Sequence, residues 1–401
     1  MLPLDSGLEF TPAQDAEFFS RIPARPGVCL VEPRVASAEP FLIRTADLRR
    51  RLQRLLGPPD PASKRLNLRE LAGGVLYRET GSAFEQLLTY YIQARAHFPK
   101  RYRDMMRLRP AAVLKVSLRN AYPRCFVTRR IAVDEHGAPS GGGYYGPFRS
   151  RRAADAYAER MLDFFKVRRC QIKIRRDPSF PGCLYSEMKM CLAPCFAGCS
   201  KEEYDVEVGR LVKFLDTAGG SLRSDIEAER ERASDDQDFE RAAAIHKKVE
   251  KLEDLLRGLP ELVRPIGELN AVILQRTPQP QAIALYAVRG GRLKEPFTLR
   301  FGDTSEPRSA EETVRDYLEG VMGAPMADAP NPRQSGLELG EHLWLVARWF
   351  YSQPRDGEIF FHDKVWPYRR ILRACSRLLA PKKEVAPEVQ PPAATKSEEH
   401  P

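Results

Sequence analysis

Residues 170–199 constrain this chain more than any other stretch: C-QIKIRRDPSFPG-C-LYSEMKM-C-LAP-C-FAG-C. Five of the eight cysteines fall within these thirty residues. Cys191/Cys195 and Cys195/Cys199 are each spaced closely enough to share one ion, and Cys183 and Cys170 lie at distances a folded loop can close. Thiols clustered in this way suit a thiolate-bound Zn²⁺ or an iron–sulfur cluster. Disulfides are the competing chemistry, and buried thiols packed as small hydrophobes are the plainest alternative. The opening MLPLDSGLEF carries neither the basic nor the apolar segment of a secretory signal. A cytoplasmic, reducing setting is therefore expected, where crowded cysteines bind metal more often than they pair.

The charge distribution points to two kinds of surface. Lys and Arg number 64 against 54 Asp and Glu, a formal charge of +10. Residues 98–130 hold ten basic residues and one acid, and residues 149–176 hold ten basic and three acidic. Residues 201–256 reverse the sign, with ten basic and sixteen acidic. A polyanion-binding face beside a protein-binding element fits this pattern, and two solvated faces are the bland alternative. No apolar run approaches the length of a membrane span, so no membrane partner is expected.

In chain order, residues 1–105 read as a compact α/β unit. Strands are expected at Gly27–Val31, Phe41–Ile43 and Gly74–Arg78. Asp47 caps a helix through Leu48, Leu52, Leu55 and Leu56, stopped by Gly57-Pro58-Pro59. Ser82 caps a second helix carrying Phe84, Leu87, Leu88, Tyr91 and Ile92, with Glu85 as its capping-box partner. That helix ends near Pro99.

The segments P-G-V-C-L, F-L-I-R-T-A-D-L-R-R-R-L and E-T-G-S-A-F-E-Q-L-L-T-Y-Y resemble the GIY-YIG nuclease domain that opens proteins of the UvrC family, the incision subunits of bacterial nucleotide-excision repair. The resemblance implies a site of two tyrosines, basic residues and a metal-binding glutamate. There the ion and an arginine stabilise charge on the transferring phosphate while a tyrosine helps activate water. Carried over residue by residue, most of that site is replaced. The first motif tyrosine falls on Cys29 and the second on Phe41. The second motif's glycine falls on Ile43, the metal-binding glutamate on Tyr90 and the asparagine on Tyr102. Only the charges of Arg44 and Arg51 survive. A neutral phenol does not replace a carboxylate as a ligand for Mg²⁺. Arg44, Arg51 and Tyr90 are thus vestigial, Mg²⁺ is expected only if nuclease activity persists, and Arg49 and Arg50 beside them remain candidates for backbone phosphates.

Residues 106–169 continue the resemblance. K-V-S-L-R-N-A-Y-P-R-C-F-V-T-R-R-I is similar to the segment that follows the nuclease in the family, with strands expected at Leu114–Leu118 and Cys125–Ile131. G-G-Y-Y-G-P-F-R-S resembles the family's tight turn into a helix, here one carrying Ala154, Tyr157, Met161, Phe164 and Phe165. Arg129, Arg130, Arg168 and Arg169 complete the candidate DNA contacts. The cysteine stretch also resembles the family pattern, with Cys170, Cys183, Cys191 and Cys195 in its four places. The resemblance implies a [4Fe–4S] cluster there, although thiolate chemistry alone leaves Zn²⁺ open. Cys199 is surplus. Residues 201–257 are expected to be helical, and D-F-E-R-A-A resembles the UVR motif, by which the family docks a matching helical pair in UvrB. Phe239, Ala242, Val249 and Leu252 are its candidate partner-binding face, with His246 at the apolar edge as a packed residue.

Beyond Pro260 the resemblance fades. Strands are expected at Leu269–Leu274, Ala282–Val288 and Phe297–Phe301, and helices at Thr313–Met322, near E-H-L-W-L-V-A-R-W-F-Y and near P-Y-R-R-I-L-R-A-C. No carboxylate set restores the family's second, RNase H-like nuclease. The expected fold is multidomain α+β. A small GIY-YIG-like α/β domain spans 1–105, a basic Cys-rich domain 106–200, a UVR helical hairpin 201–258 and a mixed α/β region 259–380, with a disordered tail over 381–401. The expected work is non-catalytic: binding DNA and a UvrB-type partner in excision repair. An active single-incision nuclease and a regulatory or structural iron–sulfur module outside repair are its rivals.

Overall fold

The computed structural model describes residues 2–59, 62, 64–302, 309–325 and 331–380. The expected tail over 381–401 lies outside the described residues. The N-terminal unit contains β1 (Ser6–Glu9), α1 (Asp15–Arg21), β2 (Gly27–Pro33), β3 (Phe41–Thr45), α2 (Leu48–Leu56), β4 (Ala72–Glu79), α3 (Ala83–His97) and the short α4 (Tyr102–Met106). Its antiparallel sheet runs β1-β4-β2-β3. Asp47 caps α2 by accepting the Arg50 N–H, and Ser82 caps α3 by accepting the Glu85 N–H. The capping box expected at α3 is only half formed. Glu85 reaches one residue further back and accepts the Gly81 N–H at 2.9 Å, while Arg78 donates to its other oxygen.

Alternation along β2 splits its side chains between two cores. Cys29 and Val31 pack with Leu48, Leu52 and Phe18 under α1 and α2. Val28 and Leu30 pack on the other face, where α3 lies.

The middle unit contains β5 (Ala112–Val116), β6 (Cys125–Thr128), β7 (Gly143–Phe148), α5 (Arg151–Leu162), α6 (Leu184–Glu187) and α7 (Lys201–Asp216). The stretch G-Y-Y-G-P-F, expected as a turn, is instead the strand β7. It pairs along β5, and the turn into α5 comes later, where Ser150 caps the helix. Phe164 and Phe165 lie just past the end of α5.

The segment 201–258, expected as one hairpin, is three helices. The hairpin itself is α8 (Gly220–Asp235) with α9 (Phe239–Arg257). Helix α7 instead puts Tyr204, Leu211 and Phe214 into the core beneath the middle sheet. Gly219, with φ +91°, makes the break between α7 and α8.

The C-terminal unit contains β8 (Arg264–Pro265), β9 (Ala271–Arg276), β10 (Ala282–Arg289), β11 (Arg292–Leu293), β12 (Phe297–Arg300), α10 (Ala310–Gly323), α11 (Pro332–Phe350), β13 (Glu358–Phe361) and α12 (Tyr368–Leu379). Strand β8 extends the middle sheet, in the order β6-β5-β7-β8. Strands β12, β10, β9 and β13 form the third sheet, with the two-residue β11 also paired to β10. One face is covered by α10 and α12, through Val314, Leu318 and Ile371.

Helix α11 ties the three units together. Its Leu339, Leu343, Val346 and Trp349 share a single core with Leu88 and Tyr91 of α3, Val113 and Tyr144 of the middle sheet, and Ile273 and Tyr286 of the third sheet. The fit is close: a Cβ on Gly336 would stand 2.2 Å from the Ile131 carbonyl oxygen, so only glycine lets the helix settle there. The regions 1–105 and 259–380 are therefore joined by a common hydrophobic interior.

Candidate functional site

The residues that the nuclease resemblance singled out lie on the inner strand β2, the edge strand β3 and the helices α2, α3 and α4 beside them. Cys29 is fully buried opposite Ile43 on one side and Tyr77 on the other. Burial pushes its thiol up to about 12, against the pull of Arg51. Phe41 is half-buried against the same core. The Arg44 guanidinium lies 5.8 Å from the centre of the Tyr90 ring, and burial raises the Tyr90 hydroxyl above its ordinary pKa. These groups supply positive charge and neutral hydroxyl or thiol, and no carboxylate. The acid nearest Tyr90 in sequence, Glu85, is already spent on Gly81 and Arg78.

Tyr102 belongs to a buried polar network. Glu341 of α11 is buried to 1 % and accepts from Tyr91 at 2.7 Å, Tyr102 at 2.9 Å and Arg103 at 2.6 Å. Arg95 pairs with Glu338 one turn away and also donates to the Tyr91 oxygen. Beside them His342 accepts the Leu293 N–H on Nδ1, and burial holds it down to about 4. This network was not foreseen, because Glu341 lies some 240 residues from its tyrosine and arginine partners.

In the cysteine loop Cys170, Cys183 and Cys191 are partly exposed and Cys195 is buried. All eight cysteines are free thiols. Left-handed residues at Lys189, Ala193 and Ala197 curl the chain around Cys191 and Cys195. Cys191 accepts the Ala193 N–H at 3.3 Å, and the Arg168 guanidinium lies 3.8 Å from the Cys170 sulfur. Donors of this kind stabilise thiolate, the form that binds metal. Cys191 is raised to about 11, by burial first, and the sulfurs of Cys170, Cys195 and Cys183 each add to the rise. The four thiols are thus electrostatic neighbours. Among the described residues, however, no three candidate ligands are already gathered as a metal site. Cys199 is buried beside the start of α7.

The candidate DNA contacts divide. Arg50 and Arg130 are exposed. Arg49 is turned inward, donating to the Ile22 carbonyl at 2.7 Å. Arg168 requires correction: it is buried, and it donates to the Tyr122 and Ile172 carbonyls, so it is not free for phosphate. Arg169 pairs with Asp163 at 2.8 Å, and its Nε is buried without a partner. The Arg129 Nε is likewise buried and unpartnered.

The helical hairpin divides in the same way. Leu252 is 2 % exposed and belongs to the core with Ile245 and Leu255, packed toward the middle unit. Ala242 and Val249 flank that core half-buried. Phe239 stands 81 % exposed. His246, expected as a packed residue, is exposed with Glu250 3.6 Å away. The buried stripe is centred about a third of a turn round from Phe239 and His246.

Residues 111–214 match the family model described as the UvrC/Cho excinuclease middle domain, and residues 220–255 match the UvrB/uvrC motif. The chain is 28% identical over 217 residues to UvrABC system protein C of Ruminiclostridium cellulolyticum, covering 53% of this chain and 34% of that one. It is 26% identical over 286 residues to the protein of the same name from Dehalococcoides mccartyi, covering 70% and 45%. Over residues 111–214 and 220–255 the chain is similar to the UvrC middle domain and to the motif that UvrB and UvrC share. It spans between a third and a half of the length of these curated relatives. No solved structure matches it. No helix among the described residues is long and apolar enough to cross a membrane.

Proposed function

We propose that this chain is a DNA-binding factor of nucleotide-excision repair that docks a UvrB-type protein through the α8–α9 hairpin and does not itself cut DNA. Phe239 is the observation that carries the reading. The hairpin folds its own apolar stripe onto the middle unit yet leaves a phenylalanine almost fully in water at the start of α9. A large aromatic exposed in this way, on a segment matching a UvrB/uvrC motif, is a ready anchor for a second helical pair. The acids around it, Asp235, Asp236, Asp238 and Glu240, repel phosphate and favour a partner with a basic rim. The first sheet argues against cleavage on chemical grounds. Metal-assisted hydrolysis of a phosphodiester needs a hard ion held by anionic oxygen and a group that activates water. The motif positions offer a protonated thiol, a phenyl ring and a neutral phenol.

Cys170, Cys183, Cys191 and Cys195 would hold a [4Fe–4S] cluster, or Zn²⁺ in its place. Either would clamp the loop onto the middle unit, and a cluster would add one-electron chemistry. Arg168 would fix the first of these cysteines.

The test is capture of a UvrB-type C-terminal helical pair by the full chain. Covering Phe239 contributes roughly 1.5–3 kcal/mol, so Phe239→Asp should weaken capture by about tenfold to a hundredfold and leave the fold unchanged. Equal capture by wild type and Phe239→Asp would contradict the docking.

A further inference from the structure

One surface of the middle sheet remains unassigned. Alternation along β5 sends Ala112, Leu114 and Val116 into the core beneath α5, and Val113 and Lys115 to the opposite face. Val113 is covered there by the core around α11, whereas Lys115 stands beyond that cover, half-exposed. Its cross-strand partners are Phe126 on β6 and Tyr144 on β7. The three therefore form one row across the sheet. The Lys115 ammonium lies 4.8 Å from the Tyr144 ring centre, and the Arg124 guanidinium lies 4.3 Å from that of the half-buried Phe126.

The neighbouring loop is bare backbone. Gly141, Gly142 and Gly143 run past the end of the row. A Cβ on Gly142 would stand 2.2 Å from the Val116 carbonyl oxygen and 3.3 Å from Cε of Lys115, at φ +153°. No other residue fits there. Arg119 lies alongside, its Nε 3.5 Å from where a Gly141 side chain would begin. Among the described residues, none of Lys115, Arg119 and Arg124 is in an ion pair. Three cations without counter-charge, an aromatic ring among them and a loop stripped of side chains occupy one patch.

From this juxtaposition we infer that Lys115, Phe126 and the glycine loop, backed by the buried Tyr144 ring, form a binding site for single-stranded DNA. Lys115, Arg119 and Arg124 take successive phosphates, and the loop lets the sugar–phosphate backbone approach the sheet closely. Phe126 receives an unstacked base, with the Arg124 guanidinium at the same ring. A paired base has no face to offer, so the site discriminates for a displaced strand over intact duplex. This inference rests on the DNA-binding reading above and gives that reading a location.

The experiment measures anisotropy of a fluorescent oligothymidine and of a duplex of equal length, with the full chain, across a salt series. Phe126→Leu should weaken oligothymidine binding by roughly five- to a hundredfold and duplex binding much less, while Phe126→Tyr retains it. The triple variant Lys115→Gln, Arg119→Gln, Arg124→Gln should flatten the slope of log affinity against log salt by about 2. Melting curves matching wild type establish that the variants fold. If they bind oligothymidine as wild type does, while Arg50→Gln with Arg130→Gln abolishes binding, DNA is held elsewhere and this inference fails alone. Equal loss on duplex overturns the single-strand assignment. A wild-type chain that binds neither DNA removes the broader reading and this one with it.

Discussion

Truncating Glu341 to alanine tests whether a buried polar network holds the N-terminal unit to α11. Its carboxylate is 1 % exposed and accepts from two tyrosine hydroxyls and the Arg103 guanidinium. Removing it leaves the Tyr91 and Tyr102 hydroxyls buried without their acceptor, at about 1–3 kcal/mol each. The Arg103 side chain is 44 % exposed, so water recovers most of what it loses and its share is small. The sum is a loss of roughly 2–6 kcal/mol, read as a lower denaturation midpoint. Tyr102→Phe removes one hydroxyl together with its need for an acceptor and should cost about 1 kcal/mol. Because the two groups touch, the double variant should fall short of additivity by roughly 0.5–3 kcal/mol. A Glu341→Ala midpoint within about 0.5 kcal/mol of wild type, or strict additivity with Tyr102→Phe, would refute the reasoning.

Two further outcomes are expected. Protein purified without oxygen should carry iron, with a visible absorption band, or else zinc, and Cys191→Ser should lose most of it; full metal content in that variant would remove Cys191 from the ligand set. His342 is held neutral by burial, down to about 4, below the roughly 6.5 of an unfolded histidine. Between these values the unfolded chain binds the extra proton, so stability should fall as pH drops from about 6.5 toward 4. His342→Gln should flatten that fall, and an unchanged profile would place the pH dependence elsewhere.

Local signals in the sequence were readable where local physics decides. Asp47 before an apolar run, and Ser82 before another, place α2 and α3 because capping is settled within four residues. The cysteine spacing and the D-F-E-R-A-A run were legible for the same reason. The strand at Gly143–Phe148 was not, since its glycines read as a turn until pairing with β5 is known. The split between Leu252 and Phe239 was also hidden. The two stand about 140° apart round α9, so a single apolar face does not hold both, and the side that the middle unit covers is Leu252's. Arg168 and Arg169 looked like free charge, because nothing local shows a carbonyl or carboxylate waiting to receive them. The shared interior around α11, and Glu341 within it, depend on contacts across most of the chain.

The central claim is that this chain holds DNA without cutting it. Its most direct test places labelled damaged duplex and bubble DNA with the protein and Mg²⁺ or Mn²⁺, and follows mobility shift and strand length in the same reaction. The expected result is shifted DNA of full length at every protein concentration. Incision that requires the divalent ion and disappears in Arg51→Ala would contradict the account.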